Sequence, residues 1–188
     1  AGTVDGDIRI YDLSGTFRES IKNGDESINE VICSKDGQYL ASSDEAGIIR
    51  VFDKTGKLLK TLDGHDQKSI EGLAFSPNGQ QLLSGGHDKM VMLWNWQNEK
   101  ILKKMGPQQS QVRSVAFSPD GKKVLTGSRD NTAKLWNTES GQEERTFKGH
   151  MHEVFAVAFS PDGKFIVSAM QEAALHGWRV QDHKDMRM

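Results

Sequence analysis

A period of about 42 residues runs through this chain and limits what it can fold into. Aromatic residues close a recurring short stretch at Tyr11, Phe52, Trp94, Trp136 and Trp178, with one gap of 41 residues and then gaps of 42. The fullest copies are Gly86-His87-Asp88-Lys89-Met90-Val91-Met92-Leu93-Trp94 and Ser128-Arg129-Asp130-Asn131-Thr132-Ala133-Lys134-Leu135-Trp136. A second landmark keeps the same 42-residue step: Ser34-Lys35-Asp36-Gly37, Ser76-Pro77-Asn78-Gly79, Ser118-Pro119-Asp120-Gly121 and Ser160-Pro161-Asp162-Gly163. Proline presets φ at a turn's first corner, Asp or Asn tolerates the next position, and Gly takes a positive φ. Each quartet therefore predicts a hairpin turn between two strands. A register this regular means stacked copies of one small unit, none able to bury its apolar faces alone.

Between the landmarks the residues read as short strands. A hairpin is expected near 7–13 and 16–21, as the end of a preceding unit (1–22). Full units follow at 23–63, 64–106 and 107–148, each with four strands. A last unit at 149–180 is expected to lack its outermost strand, with a polar tail at 181–188. The first strand of a unit is apolar on both sides, as in Leu73-Ala74-Phe75, Val115-Ala116-Phe117 and Val157-Ala158-Phe159. A sheet covered on both faces requires that. The fourth strand, as in Gln142-Glu143-Glu144-Arg145-Thr146, is polar and suits an exposed edge. With 36% hydrophobic residues and 19 glycines, the composition fits strands joined by tight turns and argues against a helical bundle. The fold class expected is all-β.

A third landmark, Gly64-His65 and Gly149-His150, precedes two of the units. Gly-His, Ser-Pro-Asp-Gly, Asp and Trp-Asn in this order and register resemble the WD-repeat family of β-propellers, over nearly the whole chain. The resemblance implies four-stranded antiparallel blades around an axis. It also implies a buried hydrogen-bonded tetrad, complete in one unit as His65, Ser84, Asp88 and Trp94. The other units depart from it. One has Pro107 in the His position, then Thr126, Asp130 and Trp136. Another has His150, Ser168, Glu172 and Trp178, and another has Asn23, Ser42, Ala46 and Phe52. Seven-bladed rings are the commonest in the family and would need roughly 290 residues. Three arrangements stay open: part of a longer ring, since both ends fall inside a unit; a ring closed on itself with strand 16–21 completing the last blade; or a ring completed by further copies.

Function is narrowed mainly by exclusion. Net charge is −2, so no basic field points to nucleic acid or an anionic membrane. One cysteine, Cys33, permits no intrachain disulfide, which favours an intracellular, cytoplasmic setting. No apolar run approaches the roughly 18 residues of a membrane span, and the chain opens on no signal peptide. Ser84, His65 and Asp88 have the residue types of a hydrolase triad, but a serine shielded by Trp94 inside a blade meets no substrate, so no catalytic residue is assigned. His87 and His150-Met151-His152 lack the converging ligands and cysteine pairs of a zinc site. Asp5-Gly6-Asp7 has Thr16 where a calcium loop needs Glu. No phosphate-binding loop is present. The expectation is no metal and no cofactor.

In the family the partner surface is the top face, built from two positions in each first strand and from the residue before the blade Asp. The matching residues here are Ser27, Asn29 and Glu45; Ser69, Glu71 and His87; Gln111, Arg113 and Arg129; Glu153, Phe155 and Gln171. Arg113 and Arg129 are expected to lie together and to grip a carboxylate or phosphate, and Phe155 to anchor a side chain. The resemblance thus implies a non-catalytic scaffold for a protein or peptide, acidic or phosphorylated. An alternative is a sensor module of a larger signalling ATPase, kinase or protease whose catalytic part lies elsewhere.

Overall fold

The structure is a computed structural model that describes residues 1–170, 175–180 and 185–187. A hairpin of β1 (Asp7–Tyr11) and β2 (Phe17–Lys22) opens the chain as a separate two-stranded sheet. Four antiparallel four-stranded sheets follow, each pairing its strands in chain order. The first holds β3 (Ile28–Cys33), β4 (Tyr39–Asp44), β5 (Ile48–Asp53) and β6 (Leu58–Asp63). The second holds β7 (Ile70–Phe75), β8 (Leu82–Gly86), β9 (Val91–Asn95) and β10 (Lys100–Met105), with a short 3₁₀ turn, Trp96–Asn98, before its last strand. The third holds β11 (Val112–Phe117), β12 (Lys123–Ser128), β13 (Ala133–Asn137) and β14 (Glu143–Phe147). The fourth holds β15 (Val154–Phe159), β16 (Phe165–Met170), β17 (Leu175–Arg179) and β18 (Asp185–Arg187).

Two sequence expectations change here. The last unit, read as 149–180 with no outer strand, has one: β18 pairs antiparallel with β17 through Arg187–His176, Met186–Gly177 and Asp185–Trp178. An edge strand needs only backbone pairing, so the absence of an apolar alternation in 181–188 was a poor guide. The strand at 16–21 does not complete that unit, because β2 pairs with β1 in its own sheet.

The turns follow from their residues. In each quartet the Ser hydroxyl donates to the Asp or Asn two residues on, at 2.6–2.7 Å, and accepts the backbone N–H five residues on at 2.9 Å. Gly37, Gly79, Gly121 and Gly163 sit at φ between +68° and +73°, where glycine alone is unstrained. The first quartet keeps this geometry with Lys35 in place of proline.

The core lies between sheets rather than within one. Ala41, Ile49, Val51 and Leu62 of the first sheet meet Ile70, Leu73, Leu82 and Trp94 of the second. Leu83, Val91 and Leu93 meet Val112, Val115 and Val124 at the next seam, and Leu125 and Leu135 meet Val154, Val157 and Ile166 at the last. Ile8 of the hairpin is buried with Ile28 and Phe52. The innermost strands β3, β7, β11 and β15 also touch one another in sequence. A repeated position makes that contact. The Glu30 carboxylate accepts the Leu73 N–H at 2.5 Å. A Cβ on Gly72 would lie 3.0 Å from the Val115 nitrogen. Ser114 Oγ accepts the Val157 N–H at 3.3 Å. The fourth occupant of that position, Ala156, is exposed, as are Phe155 and Ala158 beside it.

Candidate functional site

Inside the second sheet His65, Ser84, Asp88 and Trp94 form one chain of hydrogen bonds. Trp94 Nε1 donates to Ser84 Oγ at 2.8 Å, Ser84 Oγ lies 2.7 Å from His65 Nε2, and His65 Nδ1 lies 2.9 Å from Asp88 Oδ2. His65 and Ser84 are both fully buried. The hydroxyl is bound by the indole and the imidazole and has no exposed surface. A buried polar network stabilises a unique packing when all its members are satisfied.

The other sheets solve the same problem with different residues. In the third, Pro107 does not take the histidine position; Gln108 does, donating to Thr126 Oγ1 at 3.0 Å while Trp136 donates to the same oxygen at 3.1 Å. In the first, Ser42 donates to Asn23 Oδ1, and Phe52 has no N–H to satisfy. The first sheet also buries an ion pair that the sequence reading missed: Asp44, 1% exposed, accepts from Arg50 at 2.5 Å. The expected acidic position there is Ala46, two residues away, so a fixed register hides Asp44. In the fourth sheet Ser168 Oγ lies 2.7 Å from His150 Nε2 and accepts from Trp178 at 3.3 Å. Glu172, the sequence candidate for its acid, lies outside the described residues.

Of the residues singled out by the sequence as partner contacts, Ser27, Asn29, Ser69, Glu71, Gln111, Arg113, Glu153 and Phe155 lie at the starts of the inner strands, and Glu45, His87 and Arg129 lie in the turn after the second strand of their sheets. One backbone bond recurs at each: Glu45 N–H to Ser27 O at 3.1 Å, His87 N–H to Ser69 O at 2.8 Å and Arg129 N–H to Gln111 O at 2.9 Å. It pins the residue before the acidic position over the mouth of its own inner strand. Asn29 reaches across to the second sheet, donating to Ser69 Oγ at 2.8 Å and to Ile70 O at 3.0 Å. From there a ladder of charges crosses three sheets. Glu71 bonds His87 and Arg113. Arg113 also donates to Glu153 at 3.3 Å, and Glu153 accepts from Arg129 Nε at 2.5 Å. Arg129 closes the run by donating to Gln111 Oε1 at 3.3 Å. Phe155, 42% exposed, sits under the Arg113 guanidinium at 5.5 Å. Ser27 and Glu45 stay outside the ladder, and Gln171 lies outside the described residues.

The two arginines do converge, but not as an open cradle. Arg113 is already held by two carboxylates, and Arg129 shares one of them. Burial acts to push the Glu71 carboxyl up, yet the bonds and charges of Arg113 and His87 outweigh it and hold the group below the usual carboxylate range. Glu30 is the opposite case, and sequence reasoning passed over it. Burial between β3 and β7 pushes it up to about 7, against the pull of the Leu73 N–H.

Among the described residues, no three His, Cys, Asp or Glu side chains converge as metal ligands, and no helix is long and apolar enough to cross a membrane. The family model described as WD domain, G-beta repeat matches residues 15–53, 56–95, 99–137 and 141–177. Each match straddles two sheets, beginning at or just before the outer strand of one and running into the third strand of the next. No curated protein matches the chain at a significant level.

Proposed function

We propose that this chain, which belongs to the WD-repeat family, is a non-catalytic scaffold that holds a protein or peptide on the face formed by the starts of its inner strands. The observation that carries this reading is the ladder His87–Glu71–Arg113–Glu153–Arg129. It joins side chains from three sheets into one pre-organised polar surface with an exposed aromatic ring beside it. Such a surface binds without ordering its own side chains first, which lowers the entropic cost of association. Interfaces also favour arginine and aromatic anchors at their centres.

The partner segment in this reading carries an acidic or phosphorylated side chain. Arg113 and Arg129 divide the work. Arg129, with 48% of its side chain exposed, offers the anion the part of its guanidinium not engaged by Glu153 and Gln111. Arg113, 19% exposed and clamped by Glu71 and Glu153, positions Phe155 and Glu153 beneath the ligand. The single cysteine and the absence of any disulfide favour an intracellular setting. The test is calorimetry with a panel of phosphorylated and acidic peptides against the chain and its Arg129→Glu variant. The expected result is a bound subset whose affinity falls at least tenfold in the variant. Equal affinity for the two proteins would refute it.

A further inference from the structure

A groove of about 670 Å³ opens on the outer side of the molecule between the second and third sheets, away from the ladder. Leu102 and Lys103 of β10 and Gln81 line one wall; Gly121, Lys122, Thr138 and Glu139 line the other. Its volume falls in the range of ligand pockets. The repeat shows what the same place holds elsewhere in the molecule, because residues 42 apart occupy equivalent positions.

Thr138 corresponds to Trp96 one unit earlier and to Val180 one unit later. Trp96, in the 3₁₀ turn, fills the seam between the first and second sheets. It is 3% exposed, packs edge-on against Tyr39 with ring centroids 4.8 Å apart, and donates its indole N–H to Gly79 O at 2.8 Å. Val180 packs against the apolar cluster of the last seam. The equivalence is also visible in the backbone, where Thr138 N–H bonds Lys122 O at 3.0 Å and Val180 N–H bonds Lys164 O at 2.9 Å. Only at the middle seam does a short polar side chain stand there, and the groove is the space an indole occupies next door. Thr138 is itself 9% exposed, and its hydroxyl meets no hydrogen-bond partner.

The walls differ from those around Trp96 in a way that selects an occupant. Gly121 is the counterpart of Gly79, whose carbonyl accepts the indole N–H in the filled seam. Leu102 is the extra residue of a bulge in β10, since Ile101 pairs with Trp94 and Lys103 with Leu93. A bulge re-aims its side chain, and Leu102 is 42% exposed here. The counterpart bulge residue in β14 is Glu144, which neutralises Lys123 at 2.5 Å, and Lys134 is neutralised by Glu143 at 2.8 Å. No carboxylate among the described residues lies within ion-pair distance of Lys103 or Lys122. The groove thus joins an apolar wall, the counterpart of the indole-accepting glycine and two lysines outside any ion pair, with Glu139 also on its lining.

We infer that this groove is a second peptide-binding site, which takes a partner segment presenting a tryptophan flanked by carboxylates. The indole enters as Trp96 does at the neighbouring seam and donates to Gly121 O, and the flanking carboxylates meet Lys103 and Lys122. The site is independent of the ladder and of the partner proposed for it.

The test is a titration of the isotopically labelled chain with the blocked tripeptide Asp-Trp-Asp, followed by backbone amide shifts. Asp-Ala-Asp and Ser-Trp-Ser serve as controls. Saturable shifts clustered on Gln81, Gly121 and Thr138 are expected, weaker by tenfold or more for either control. Thr138→Trp supplies the indole in cis and should abolish binding while keeping the cooperative melt. Should that variant fail to fold, the double substitution of half-buried Lys103→Glu and exposed Lys122→Glu decides, with an expected loss of at least tenfold. No saturable shift at millimolar peptide, or shifts untouched by these variants, would overturn the assignment. Equal binding of Asp-Ala-Asp would reduce it to an anion site and overturn it as well. So would a concentration-dependent rise in mass that Thr138→Trp removes, because the occupant would then be a second copy of the chain.

Discussion

Trp94 is a large side chain buried in the seam between the first and second sheets. Its ring is buried between two sheets and its N–H ends the chain that runs through Ser84 and His65 to Asp88. Trp94→Ala is expected to cost about 3–5 kcal/mol, as truncations of large buried aromatics do, measured by urea unfolding. Trp94→Phe should cost clearly less, because the first sheet already runs on Phe52. Glu30 gives a pH signature. Its folded-state pKa of about 7 lies above the ordinary value of 4.5, so the folded chain keeps a proton that the unfolded chain releases. The stability it contributes is complete below about pH 4.5 and is lost as pH rises towards 7, by roughly 1–3 kcal/mol at most. Glu30→Gln should flatten that slope between pH 5 and 7 in denaturant melts taken across pH. The tetrad was legible in sequence because the resemblance to the WD-repeat family names its four positions, and one unit fills all of them. Glu30, Asp44 and Gln108 were not, because each is the local substitute of one unit and follows no period.

At the scale of strands, the seams are set by what fits between neighbouring sheets. A Cβ on Gly85 of β8 would lie 2.5 Å from Val112 Cγ1 and 2.8 Å from Val115 Cγ1 of β11. Gly85→Ala must therefore push β8 and β11 apart, with an expected loss of about 1–3 kcal/mol, as for other overpacked cores, again read by denaturant unfolding. The strands and their turns were readable because the Ser-x-Asp/Asn-Gly quartets punctuate them and the second halves of the inner strands are apolar. The short β18 was not, since a strand at an exposed edge is held by backbone bonds that no residue pattern announces. The 3₁₀ turn at Trp96 also escaped, because a second tryptophan two residues after Trp94 reads as a duplicate of the anchor. Its meaning depends on the empty place opposite Thr138, which only the packing reveals.

For the whole molecule the sheets form a series with unlike ends. At one end the β1–β2 hairpin covers the first sheet and buries Ile8 against Ile28 and Phe52. At the other, β15 leaves Phe155, Ala156 and Ala158 exposed, whereas Ala116, the counterpart of Ala158 in β11, packs against the last seam. Replacing the two alanines by arginine separates the ends. Ala158→Arg should change stability by no more than about 0.5 kcal/mol, as surface substitutions do, while Ala116→Arg should cost several kcal/mol by placing a charge in a seam. A thermal melt of each variant reads the difference. The repeat count and the all-β architecture were readable from the 42-residue step. The pairing of Arg113 with Glu71 and Glu153 was not, because it joins residues 42 and 40 positions apart across separate sheets.

The phase between the family repeat and the sheet has a mechanical result. Each matched segment leaves an outer strand on one sheet and contributes the three inner strands of the next, so the segments are dovetailed. Cutting the backbone between two segments, as at the turn that joins β9 to β10, splits a sheet and leaves each piece with half of a complementary hydrogen-bonding edge. Such pieces are mutual templates. Mixed together, they have a built-in route to reassociate in the correct register, since the bulge that pairs Ile101 with Trp94 and Lys103 with Leu93 admits only one alignment of the edge.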